Sequence, residues 1–120
     1  MDKIKLMKVG FDFHQMDFDV DFVSIDKNNL LKDTYKEIGC NAIDMVSLEG
    51  DFTVIVDDEG LLVSDNPVFA LDNNIRLAGT LLVGKTEYTD DGVDITNCNT
   101  NDAFDFFETF HEFSLIGTTK

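Results

Sequence analysis

Gly79-Thr80-Leu81-Leu82-Val83-Gly84-Lys85-Thr86 matches the string G-x-x-x-x-G-K-[ST], in which backbone N–H groups and a lysine hold nucleotide phosphates at the start of a helix. The surroundings argue against that chemistry. Thr-Leu-Leu-Val is a strand-forming run, and Glu87 to Gly92 leads into a turn, so the segment is read as a buried strand ending at Gly84. Asp17, Asp19 and Asp21 have the spacing of the first three ligands of a calcium loop, but Phe22 stands where that loop needs glycine and Asn28 where it needs a bidentate glutamate. Carboxylates at Asp57, Asp58 and Glu59, or at Asp90, Asp91 and Asp94, are candidates for a weak divalent site; the default is solvated turn carboxylates. His14, Cys40, Cys98 and His111 lack zinc-type spacing. No G-x-S-x-G, H-E-x-x-H or Cys/His signature occurs. The expectation is a chain without catalytic residues, cofactor or bound metal.

What the chain has in excess is aspartate. Eighteen of its 24 acidic residues are Asp, and the formal net charge is -15 over 120 residues. The carboxylates recur through segments that also carry hydrophobic periodicity, so the chain is expected to fold and to display its charge. Such a surface repels nucleic-acid phosphates and anionic membranes, which disfavours direct binding to either. It suits the basic groove of a nucleic-acid-binding protein. The first candidate surface is Asp17, Asp19 and Asp21, a ladder of charge with a repeat of about 6.6 Å if these residues lie on one strand. The second is Asp90, Asp91 and Asp94. The competing expectation for the ladder is neutralisation, with Lys3 and Lys5 on an adjacent strand facing the same side.

The elements that must carry these residues follow from periodicity. Ile4 and Leu6 alternate with lysines in a short strand over Lys3 to Lys8, and Met16, Phe18, Val20 and Phe22 alternate with the aspartates in a second strand. Asp26 and Asn28 are N-cap candidates for a helix from Asn29 to Ile38, with Leu30, Leu31, Thr34, Tyr35 and Ile38 on one face and Gly39 as the stop. Strands are expected at Ile43 to Leu48 and Phe52 to Val56. A turn at Asp57 to Gly60, with Gly60 left-handed, would then lead into a hairpin strand at Leu61-Leu62-Val63. Pro67 is expected to open an irregular or helical stretch through Leu71, before a strand from Ile75 to Val83. Asp90-Asp91-Gly92 makes a turn, and Thr100 or Asn101 caps a final helix whose Ala103, Phe106 or Phe107, Phe110 and Phe113 share a face.

The run from Leu30 to Gly84 resembles a domain-of-unknown-function family of phages and conjugative elements. The residues that carry the likeness are Tyr35-Lys36-Glu37-Ile38-Gly39-Cys40, Ile43-Asp44-Met45-Val46, Asp57-Asp58-Glu59-Gly60, Asn66, Ala70 and Ala78-Gly79-Thr80-Leu81-Leu82-Val83-Gly84. The resemblance implies a small α+β domain of mobile genetic elements and supplies no catalytic residues.

Together these readings give one acidic α+β domain over residues 1–120, with a mostly antiparallel sheet of five or more strands and two helices packed on it. No apolar run approaches the roughly 20 residues of a membrane span, and Cys40 and Cys98 form no disulfide framework. A cytoplasmic protein of the host cell with two reduced thiols is expected. Its expected function is to bind and inhibit a host nucleic-acid-binding defence protein, of the anti-CRISPR or anti-restriction type, by occupying a nucleic-acid channel. The alternatives are a small-ligand binder, with a polar pocket lined by the only arginine, Arg76, and a plain interaction domain whose charge serves solubility.

Overall fold

The computed structural model describes residues 3–63, 65–72 and 75–119. Strands β1 (Lys3–Asp12) and β2 (Asp17–Asp26) form a hairpin of ten residues against ten, in register from Lys3↔Asp26 to Asp12↔Asp17. β1 outruns the expected Lys3 to Lys8 because it is central and buried on both faces. Ile4 and Leu6 point one way, Met7 and Val9 the other.

A single 3-10 turn over residues 27–29 follows, with the Asp26 carboxylate accepting the Asn28 N–H at 2.9 Å. Helix α1 (Leu30–Ile38) stops at Gly39, whose φ of 78° turns the chain so that the Cys40 N–H also bonds back to the Tyr35 carbonyl, at 3.0 Å. Leu30, Thr34 and Ile38 face the sheet as expected; Leu31 is instead 55% exposed. The two strands expected next are present, β3 (Ile43–Leu48) and β4 (Phe52–Asp57), and they form a hairpin around Gly50 and Asp51.

Four expectations fail beyond this point. Leu61 to Val63 is a turn rather than a strand, with Leu61 and Leu62 67% and 79% exposed. Gly60 is not left-handed there: it lies against the Ala78 backbone, whose carbonyl oxygen would be 2.6 Å from a Cβ. Pro67 opens a strand, β5 (Pro67–Ala70), at the first position, where proline's missing N–H is tolerated. The run from Ile75 is split by Gly79, at φ 89°, into β6 (Arg76–Ala78) and β7 (Leu81–Thr89).

Asp90 and Asp91 do turn the chain, into a strand not anticipated, β8 (Gly92–Thr96). Helix α2 (Thr100–Thr109) is capped one residue earlier than expected, by Asn99. Its side chain accepts the Asp102 N–H at 2.9 Å while the Asp102 carboxylate accepts the Asn99 N–H at 3.0 Å. Phe110 closes the helix, and Phe113 lies beyond it, just before β9 (Ser114–Thr118).

The architecture is a six-stranded antiparallel sheet in the order β2-β1-β7-β4-β3, with β8 alongside the far end of β7, and a three-stranded sheet β6-β5-β9. That is the expected mostly antiparallel α+β class. On one face of the large sheet, Met7, Val9, Phe52, Val54, Leu81 and Val83 pack against Phe106 and Phe110 of α2 and Phe69 of the small sheet. On the other, Ile4, Leu6, Ile25, Ile55, Leu82 and Ile95 pack against Leu30 and Ile38 of α1.

Candidate functional site

The β1–β2 hairpin decides how the acidic ladder is presented. Its register sets Asp17 opposite Asp12, Asp19 opposite Gly10 and Asp21 opposite Lys8, all three aspartates being exposed. Lys3 and Lys5 stand opposite Asp26 and Ser24. Side chains alternate between faces along a strand, so these lysines are on the other face from the ladder. The expected neutralisation by Lys3 and Lys5 is therefore wrong, and Lys5 instead places its ammonium 4.8 Å from the centre of the Phe22 ring. Lys8 is the cation on the ladder's face, and it is engaged by Glu37 of α1 at 3.3 Å. Because Gly10 carries no side chain, a cleft of about 210 Å³ opens there, lined by Lys8, Gly10, Phe11, Asp19, Asp21 and Thr80. An isolated glycine inside an alternating strand was the sequence signal for this notch; Lys8 and Thr80 gave none.

The second acidic group is placed differently. Asp90 and Asp91 are exposed at the β7–β8 turn, whereas Asp94 pairs across the ladder with Glu87, and Lys27 lies 3.7 Å from each of those two carboxylates. β7 pairs with β1 through Leu81 to Val83 and reaches the Asp90 turn only after Thr89. The two groups thus stand at opposite ends of β7. They are separate surfaces.

The phosphate-loop string lies along β7. Its Lys85 donates to the Gly50 carbonyl at 2.9 Å and sits 4.3 Å from the Phe52 ring centre, so the ammonium is already engaged by the chain's own groups. Among the described residues no group of three or more His, Cys, Asp or Glu is disposed to hold a metal ion. No helix among them is long and apolar enough to cross a membrane. A cleft of about 170 Å³ beside the exposed Leu61-Leu62 turn is lined in part by Asp44, Asp57, Asp58, Glu59 and Arg76.

Cys98 is buried, and that burial, with Asp102 adding to it, pushes its thiol from 9.0 up to about 11, Lys85 and Lys5 offsetting only part. Between those values the unfolded chain has released a proton that the folded chain keeps. The contribution is therefore fully present below about pH 9 and is lost as pH rises toward about 11. The expected result is a fall in melting temperature over that window that is smaller in Cys98→Ala; equal falls in the two proteins would contradict it.

Residues 15–111 match the family model described as Domain of unknown function (DUF3846). The chain belongs to the DUF3846 family. The match takes in β2 through α2, so the aspartate ladder and the phenylalanine helix both fall inside the DUF3846 segment, which is wider than the Leu30 to Gly84 resemblance. β1, which supplies Lys8 and Gly10, lies before it, and β9 after it. No curated protein and no solved structure matches the chain.

Proposed function

We propose that this DUF3846 protein is a non-catalytic protein-binding factor whose β1–β2 hairpin enters a basic, nucleic-acid-binding groove of a partner protein. The observation that supports this reading is the hairpin register. It leaves Asp17, Asp19 and Asp21 exposed in one row, and of the β1 lysines only Lys8 shares their face, where Glu37 already engages it. Carboxylates in such a row release the same counterions from a basic groove that phosphates would. The partner best suited to this chemistry is a host nucleic-acid-binding defence protein met by a phage or mobile element, with the encounter in the host cytoplasm. Asp90 and Asp91 at the far end of β7 extend the negative field and steer the approach.

The test is capture of basic proteins from host lysate, followed by elution with double-stranded DNA. DNA and this protein compete for one site under the proposed reading; retention of every captured protein in excess DNA would contradict it.

A second reading, a small-ligand binder, draws on the cleft that Arg76 lines beside Leu61 and Leu62. It differs in predicting no captured basic protein at all.

A further inference from the structure

β2 is the outer strand of the large sheet, so one side of its backbone has no partner strand among the described residues. In an antiparallel strand the N–H and C=O of each residue point to the same side, and successive residues alternate. Three of β2's N–H groups are taken by carboxylates instead of by β1. Phe18 donates to Asp17 Oδ1 at 2.8 Å, Phe22 to Asp21 Oδ1 at 2.8 Å, and Asp26 to Asp33 Oδ2 of α1 at 2.9 Å. These donors recur every fourth residue and share one parity, which makes them the donors of the free edge. The same contact recurs on β8, where Ile95 donates to Asp94 Oδ1 at 2.8 Å.

We infer that β2 is an edge closed to strand addition by its own aspartates, so that this hairpin meets other molecules through side chains and does not extend its sheet with a partner strand or a second copy. An open edge is a template for pairing, and proteins blunt it with charge. Here charge and hydrogen bonding act together, because a carboxylate seated on the amide both fills the donor and repels an approaching carbonyl. Aspartate is the residue that does this. Its carboxylate reaches the N–H of the next residue, while the extra methylene of glutamate carries the group past it. The inference holds whether or not a basic groove is the hairpin's target, and it adds a second reason for aspartate at 17 and 21 beside the display of charge. Val20, of the same parity, has no such carboxylate among the described residues and serves as the internal reference.

The experiment is residue-resolved amide hydrogen exchange on the whole protein, corrected for intrinsic rates, with sedimentation at rising concentration. In the wild type, Phe18 and Phe22 exchange severalfold more slowly than Val20. The double variant Asp17→Asn, Asp21→Asn keeps an acceptor oxygen in place and retains the slowing, whereas Asp17→Glu, Asp21→Glu keeps the charge and loses it. Asp17→Val, Asp21→Val, which removes cap and charge at positions that suit a strand, gains a concentration-dependent association that the wild type lacks. Equal corrected rates at Phe18, Val20 and Phe22 in the wild type, or a valine double that sediments as the wild type does, would overturn the inference.

Discussion

Phe106→Ala is expected to lower the melting temperature by on the order of 10 to 20 °C. The side chain is fully buried, with ring centres of Phe52, Phe107, Phe110 and Phe113 at 5.3, 5.2, 5.0 and 6.1 Å. Truncating a buried phenylalanine removes its transfer free energy and leaves a cavity, together about 3 to 5 kcal/mol. Each kcal/mol moves the midpoint of a domain of this size by about 3 to 5 °C. Phe104 lies on the same helix but is 70% exposed, so Phe104→Ala is the control and should shift the midpoint by little. Similar shifts in the two variants would mean that α2 is not held to the sheet through Phe106.

Gly84→Ala should be nearly as costly for the opposite reason. A Cβ at Gly84 would lie 2.5 Å from Ile95 Cγ1, 2.5 Å from the Thr96 carbonyl oxygen and 2.8 Å from Leu6 Cδ2. Side chains can yield, but the Thr96 oxygen belongs to the strand next to β7 and cannot move without disturbing the pairing of Lys85 with Thr96. Overpacking typically costs about 1 to 3 kcal/mol, and a backbone clash puts this substitution at the upper end. The result also bears on the phosphate-loop string, since a glycine needed for packing is lost at a cost in stability with no ligand present. A melting curve for Gly84→Ala that overlays the wild type would contradict the packing account.

The elements legible in the sequence were those specified by their own periodicity. β2 alternates cleanly, α1 has an apolar face and a glycine stop, and α2 carries phenylalanines at helical spacing. The errors arise where tertiary contacts decide. Leu61-Leu62-Val63 reads as a strand by composition, but Gly60 turns the chain against Ala78 and leaves those residues without a partner strand. Pro67 reads as a break, yet a proline opening a strand loses no ladder bond. β8 and β9 are short, and pairing with β7 and β5 defines them better than pattern does.

The candidate site shows the same division. Alternation located the aspartate ladder, but which lysines share its face depends on the turn between the strands. With residues 13–16 in that turn, every odd-numbered residue of β1 meets an even-numbered residue of β2, and this sends Lys3 and Lys5 to the far face. A one-residue change in the turn would reverse that outcome.

The role proposed for Asp17, Asp19 and Asp21 depends on their charge, and exposed ionic contacts are individually worth less than about 1 kcal/mol, so the three must be changed together. The decisive measurement is the affinity of a captured basic partner for the wild type and for Asp17→Asn, Asp19→Asn, Asp21→Asn, each at low and at high salt. The triple substitution keeps side-chain shape and removes three charges. Weaker binding with a shallower dependence on salt is the predicted result. Unchanged affinity and an unchanged salt slope would contradict it.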